Sequence, residues 1–387
     1  MRDASGIRTG KLYEEDAYAR EFEAEVIRAE GRELVLDRTL FFPEEGGQSP
    51  DHGEIGGVRV VDVQIRDGEI IHTMERADAF SAGERVRGRI DWEERFSNMQ
   101  QHSGEHLFSG AVFRRYGFSN VGFHLSGKEV TLDFDGEIPA EDLPEIVREV
   151  NGAIWADIPS QVLVTTPEER EGLAYRSKLD LPGEVRIVVF PGADACACCA
   201  PHVRRTGEIG FLMVTGMIRW KSGVRVSILC GDRALRQAAE EHRIVTETAR
   251  YLSTSPSEIY PQTVKAREEN RRLRGALSQV SGELLLVKAE ALPEGEDAWL
   301  FAEGADAADL RTAVNGMMER RRGFCGAFSG SDGEGYSFVI GSAEKDAREV
   351  MRILKEKLGA RGGGKPGMVQ GSVQAAESGI RSALSEV

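Results

Sequence analysis

The chain has 387 residues, 41% of them hydrophobic and 7% aromatic, which is enough for two or three ordinary domains with real cores and excludes a disordered chain. No run approaches the roughly eighteen uninterrupted apolar residues of a membrane span, and Met1-Arg2-Asp3-Ala4 lacks the charged-then-apolar build of a secretory leader, so no membrane partner is expected and the cytoplasm is the expected compartment. The net charge of -15 weighs against broad nucleic-acid binding, which needs clustered Lys and Arg, and leaves local basic runs at Arg204-Arg205, at Arg219, Lys221 and Arg225, and from Lys265 to Arg274.

From about Tyr18 to Ile90 short β runs alternate with turn signals. Leu34-Val35-Leu36 is apolar, Val61, Val63 and Ile65 alternate before Asp67-Gly68, and Ile71 and Thr73 return; residues 1–91 are therefore expected to form a small antiparallel barrel. From Trp92 to about Tyr116 the pattern turns helical. Strand-like Glu129 to Phe134, helical Pro144 to Asp157 and the β run Val185 to Phe190 follow, so residues 92–231, closed by Cys230-Gly231, read as an α+β domain. Helix then runs to about Leu252. Ser255-Pro256-Ser257-Glu258 resembles a capping box with proline in the first turn, and Pro261 is expected to break or kink whatever starts there. A further charged helix, Gln262 to Leu292, carries Val264, Leu273, Leu277, Val280 and Leu284, so residues 232–292 are expected to be a helical connector or coiled arm. In residues 293–387 a strand (Trp299 to Ala302), a helix (Ala307 to Arg321), two strands (Phe324 to Phe328 and Phe338 to Ile340) and a helix (Ala343 to Leu358) lead to Gly362-Gly363-Gly364. A small α/β domain with a glycine-rich loop is expected there, and α+β is the fold class of the whole chain.

Chemistry concentrates in two segments. In Gln101-His102-Ser103-Gly104-Glu105-His106-Leu107 the histidines are four apart, so on a helix they project from one face and can share an ion; Glu105 does not stand where a zinc-protease helix carries its general base. Cys196-Ala197-Cys198-Cys199-Ala200-Pro201-His202 offers thiolate and imidazole, the preferred zinc ligands, and two such half-sites make a four-ligand set. The chain has five cysteines, an odd number, and this trio is too closely spaced for an ordinary disulfide framework; metal or redox chemistry in a reducing compartment fits better. Small buried residues or a redox pair are the alternatives for these thiols. His124 falls just after the helix, near the site or as a structural residue, whereas His52, His72 and His242 show no partner in sequence and are expected at the surface.

The spacing His102-x-x-x-His106 and Cys198-x-x-x-His202, the continuation Val203-Arg204-Arg205-Thr206-Gly207-Glu208-Ile209-Gly210, and Phe41-Phe42-Pro43-Glu44-Glu45-Gly46-Gly47-Gln48 together resemble the editing domain of alanyl-tRNA synthetase and its freestanding AlaX relatives. Gly362-Gly363-Gly364-Lys365-Pro366-Gly367-Met368-Val369-Gln370-Gly371 resembles the signature of the DHH-associated domain that ends the long AlaX proteins. The resemblance implies one zinc held by His102, His106, Cys198 and His202, catalytic roles for Gln48 and for Thr39 (which aligns with a threonine contacting the serine hydroxyl), and trans-editing hydrolysis of seryl- or glycyl-tRNA(Ala). It implies mischarged tRNA(Ala) as the partner, with the tail, through Arg320-Arg321-Arg322 and Lys355 to Lys365, contacting the tRNA body; a homodimer through the connector or the tail is a further expectation. Because the barrel begins close to Met1, editing without aminoacylation is expected. Two departures stand out: Cys-Gly-Gly-Thr-His reads Cys198-Cys199-Ala200-Pro201-His202 here, which leaves the thiolate open among Cys196, Cys198 and Cys199, and the first glycine of Gly-Gly-Gly-Gln is Glu45. A zinc-stabilised tRNA-binding module without catalysis, a nucleotide phosphoesterase relative, which would need an Asp-His-His stretch that is missing, and a redox or metal-storage protein are the other classes.

Overall fold

A computed structural model describes residues 8–127, 129–177 and 182–387; the leader reading on Met1 to Ala4 lies outside the described residues. The chain divides into two compact units, Met1–Ile244 and Val245–Val387, built from α-helices and several separate sheets.

In the first unit, strands β1 (Glu21–Glu30), β2 (Glu33–Leu36), β3 (Gly53–Ile55), β4 (Val58–Arg66), β5 (Glu69–Met74) and β6 (Arg85–Ile90) pair in the order β1-β2-β5-β4-β3-β6. Strand β6 pairs back onto β1, so the sheet closes. The alternation that specifies this is plain in β1, where Phe22, Ala24 and Val26 are buried and Glu21, Glu23 and Glu25 are exposed. His72, expected at the surface, is fully buried on β5. Its ring is held between the Leu34 carbonyl and the Thr39 hydroxyl, partners that adjacent strands supply and that spacing along the chain cannot reveal.

Helix α1 (Trp92–Tyr116) follows, buried almost without interruption from Asn98 to Val112. It packs against α2 (Leu143–Trp155) and carries the chain into a four-stranded antiparallel sheet. That sheet joins β7 (Asn120–Leu125), β8 (Val130–Phe134), β12 (Leu212–Trp220) and β13 (Gly223–Cys230) in the order β12-β13-β8-β7, while β9 (Gln161–Thr165), β10 (Val185–Phe190) and β11 (Asp194–Ala197) form a three-stranded sheet. Met99, Phe108, Leu132, Phe134, Ile146, Phe190 and Val226 fill the core between them. A buried ion pair ties α1 to the barrel: Arg95, in the first turn, donates to both oxygens of Asp51 and to the Leu40 carbonyl, and Asp51 also accepts from Phe42 N at 2.7 Å. A fully desolvated guanidinium needs these partners, so the helix is fixed against the loop that carries Gln48.

Helix α3 (Gly231–Tyr251) spans the division, and α4 (Ile259–Glu290) lies in the second unit. Pro261 does not break α4. It sits in the first turn, where the missing N–H would have no helical partner anyway. Nor does Ser255 form a capping box: Pro256–Glu258 is a single 3-10 turn, and the Ser255 hydroxyl meets that of Ser257 at 3.0 Å instead. The second unit's sheet orders β14 (Ala298–Ala302), β15 (Cys325–Ser331), β16 (Gly335–Gly341), β17 (Arg361–Lys365) and β18 (Met368–Val373) as β14-β15-β16-β18-β17, with β14 and β15 parallel and the other three pairs antiparallel. Helices α5 (Ala307–Met318), α6 (Arg348–Leu358) and α7 (Glu377–Leu384) complete it, and the last turns of α4 join its core through Leu285 and Ala289. Gly362-Gly363-Gly364, expected as a loop, is strand β17. A Cβ on Gly364 would stand 2.3 Å from the Met368 carbonyl oxygen, so glycine here permits close strand contact.

Candidate metal centre

Two elements of the first unit converge on one point. Helix α1 presents His102 and His106 one turn apart, and the loop after β11 presents Cys198 and His202. One donor atom from each of these four residues lies within 4.8 Å of the other three. All three histidines are at least 95% buried, and Cys198 is half-buried at the junction of the two cores.

Each imidazole has its Nδ1 turned outward onto a protein group. His102 Nδ1–H donates to Gln48 Oε1 at 2.7 Å, since an amide oxygen can only accept. His202 Nδ1 lies 2.9 Å from Ser103 Oγ, which also accepts from Val203 N. His106 Nδ1 faces Asp194 Oδ2 at 3.2 Å. The Nε2 atoms of His102 and His202 stand 3.6 and 3.3 Å from Cys198 Sγ. Tetrahedral zinc, with nitrogen at about 2.0 Å and sulfur at about 2.3 Å, places such donors roughly 3.5 Å apart. The donor set fits: a thiol and three imidazoles, each with a protein group behind it, and the Gln48 oxygen sets the tautomer of His102. Burial, then the neighbouring His106 and His102, hold the His202 imidazolium well below its ordinary range, while burial raises Cys198. A neutral His202 ring with its Nε2 toward Cys198 is a ligand in waiting.

The geometry sorts the three thiols. Only Cys198 joins the three imidazoles. Cys196 groups with His106 and Asp194, but Arg176 donates to both Asp194 oxygens at 2.7 and 2.9 Å and occupies that corner with a cation already. Burial opposes ionisation of Asp194, yet hydrogen bonds from His106 and Arg176 hold its carboxyl below the usual range. That corner therefore supports His106. Cys199 turns to the barrel, 3.9 Å from where a Cβ on Gly46 would lie, and burial followed by the charge of Glu45 pushes its thiol up to about 12.

The Glu45-to-Gln48 segment is a two-residue turn: Glu45 N donates to Gln48 O, and Gln48 N to Glu45 O. Gly46 and Gly47, at φ +63° and +87°, occupy its two central positions, where both residues need the left-handed region. Glu45 stands before them and is unconstrained, so it replaces glycine without disturbing the turn. Leu125 N donates to Gly47 O, and this pins the turn to β7. In the Cys198-to-His202 loop no residue takes a positive φ. Arg186 braces that loop by donating to the carbonyls of Cys198 and Ala200.

A cavity of about 400 Å³ opens beside the centre, lined by His102, His106, Cys198, Phe123, Arg176, Arg186 and the carboxylates Glu14, Glu45, Glu105 and Glu184. Glu105 Oε1 accepts from Ser109 and Asn120, both at 2.6 Å, and its Oε2 is 3.8 Å from His106 Nε2. Gln48 is fully buried behind His102 and does not line this cavity. Thr39 does not line it either; burial drops His72 to about 4, so the neutral ring, donating from Nδ1 to Leu34 O, accepts the Thr39 hydroxyl at Nε2, and Thr39 Oγ1 accepts from Phe41 N. His124 is exposed, although its neighbour Phe123 packs 4.7 Å from the His102 ring. Sequence reasoning missed Glu105, Asp194, Arg176 and Arg186 as site residues; a carboxylate between two ligand histidines was the one available signal.

Residues 13–94 match the family described as "tRNA synthetases class II (A)", and residues 185–227 match the "Threonyl and Alanyl tRNA synthetase second additional domain". The alanyl-tRNA editing protein AlaX-L of Pyrococcus horikoshii is 26% identical over 94% of this chain and 95% of its own length. The alanine–tRNA ligases of Pyrococcus abyssi and Archaeoglobus fulgidus are each 31% identical, over 97% and 95% of this chain but only 43% and 42% of their own lengths. The chain thus spans less than half of the ligases it matches.

Proposed function

For a chain that is homologous to the alanyl-tRNA editing protein AlaX-L and to part of the alanine–tRNA ligases, we propose trans-editing: hydrolysis of the aminoacyl ester on mischarged seryl- or glycyl-tRNA(Ala). The observation that carries this reading is the four-donor cluster His102, His106, Cys198 and His202 at the wall of a cavity lined by Glu105. Zinc bound there supplies a fixed positive charge beside the ester, and four protein donors give it the closed character of an orienting site. The chain's own groups do the rest. Glu105, anchored through Oε1 by Ser109 and Asn120, is the general base that takes the proton of the attacking water. Gln48 fixes the His102 tautomer. Thr39, committed to His72 and to Phe41 N behind the cavity, keeps a part in serine selection only as the resemblance implies it.

The partner is tRNA(Ala), with Arg320, Arg321, Arg322 and the Lys355 to Lys365 stretch as phosphate contacts. Leu273, Leu277, Val280 and Leu284 are each more than half exposed on α4, which supports a homodimer through the connector. The domain limits 1–91, 92–231, 232–292 and 293–387 are part of the same reading. No helix among the described residues is long and apolar enough to cross a membrane, in keeping with a cytoplasmic place. A closed four-donor site also suits a tRNA-binding module without catalysis. Deacylation of seryl-, glycyl- and alanyl-tRNA separates the two: hydrolysis of the first two well above the alanyl ester is expected, and intact esters with tight tRNA binding would leave the module.

A further inference from the structure

Among the carboxylates of the cavity, Glu45 takes no part in its turn through its side chain, which meets the Cys199 thiol. Its backbone makes both hydrogen bonds of the turn to Gln48, and its position ahead of Gly46 accepts any residue. Yet its Oε2 is buried without a hydrogen-bond partner. A carboxylate oxygen taken out of water with no donor costs free energy unless a cation comes to it. The cations of this cavity and its rim are engaged elsewhere: Arg176 with Asp194, Arg186 with the carbonyls of the ligand loop, and Lys11 with Glu14 at 3.2 Å. Glu45 also stands outside the group of metal donors.

Arg186 contributes the opposite kind of vacancy to the same cavity. Its Nε–H is buried and unpartnered. One site thus offers an unmatched anionic acceptor and an unmatched cationic donor in about 400 Å³, a volume suited to a small ligand that carries an ammonium group and a carbonyl oxygen. An aminoacyl ester has both, three bonds apart.

We infer that Glu45 binds the α-ammonium group of the aminoacyl moiety, with Arg186 toward its carbonyl oxygen, so that the cavity selects α-amino acyl groups over acyl groups lacking that charge. The inference rests on the editing reading for its substrate class. An ammonium group presents three donors and meets a carboxylate in a charge-assisted bond, the strong kind in a partly dry site.

The test uses the full zinc-loaded chain and adenosine carrying a non-hydrolysable 3′-seryl amide, compared by calorimetry with the same amide in which a hydroxyl replaces the α-amino group. The wild type is expected to bind the ammonium form about tenfold more tightly, the size of one charge-assisted hydrogen bond. Glu45→Gln closes that gap by weakening the ammonium form while the hydroxy form stays within about twofold. Glu45→Gly behaves likewise, since the turn accepts glycine, and both variants keep their zinc. Equal binding of the two amides by the wild type, or a gap that survives in Glu45→Gln, overturns the inference. Hydrolysis of seryl-tRNA by the wild type is scored separately. Hydrolysis without a gap sinks Glu45 alone; a gap closed by Glu45→Gln in a protein that hydrolyses nothing sinks the deacylase reading and leaves the ammonium site standing.

Discussion

The turn from Glu45 to Gln48 and the loop from Cys198 to His202 both serve the metal centre and both depart from the glycine pattern of the sequences they resemble, yet only one is conformationally bound to glycine. In the turn, two consecutive residues must take positive φ, and both are still glycine. In the loop nothing takes positive φ, and Cys199, Ala200 and Pro201 stand there without strain. The lesson is that a motif glycine matters where the backbone enters the left-handed region or something presses on the Cα, and is otherwise replaceable. What the loop cannot exchange is chemical: one sulfur and one imidazole.

The sharpest contrast comes from Cys198→Ala. Purified protein is expected to carry about one zinc per chain and this variant almost none, by elemental analysis, because the set loses its only thiolate. Full retention of zinc would remove Cys198 from the ligand set. Gly47→Ala attacks the turn instead. Its φ is +87° and the added Cβ would lie 2.1 Å from the Phe123 carbonyl oxygen, so unfolding free energy should fall by about 3 kcal/mol or more. The matching loop change, Ala200→Gly, should cost under about 1 kcal/mol, and equal losses for the two would erase the distinction.

Two finer predictions concern the groups behind the ligands. Asp194→Asn leaves His106 without its carboxylate and Arg176 without its partner, so zinc affinity measured by chelator competition should drop about 10–100-fold while the other ligands remain. An unchanged affinity would mean that His106 is held by packing alone. The smallest effect is Thr39→Val, which should lower the ratio of seryl- to alanyl-tRNA hydrolysis by up to about tenfold with zinc content intact. A ratio that does not move makes Thr39 a support for His72 only.

Much of this was open to reading along the chain. Helix α1 runs from Trp92 to Tyr116 and β10 from Val185 to Phe190, where the pattern placed them, because a long buried helix and a six-residue apolar strand carry their signals locally. The histidine pair and the Cys198/His202 spacing were visible for the same reason: ligands on one turn or one loop are near in sequence. Their meeting was not, since 91 residues, 107–197, separate His106 from Cys198. Gly362 to Gly364 misled for the converse reason: glycine marks turns by its own freedom, and a partner strand pressing on its Cα is invisible until the sheet is formed.

The sequence by itself determined the kinds of atom available to a metal, the alternation that lets β1 face a core, and the two glycines that let the chain reverse before Gln48, because each depends on residue type and local spacing. The tertiary structure alone decided which thiol joins the imidazoles, that Asp194 and Arg176 stand behind His106, that His72 is buried against Thr39, and that Glu45 keeps an unpartnered oxygen in the cavity. Those are contacts between residues distant along the chain, and the orientation of a side chain toward them follows from packing, which no periodicity encodes.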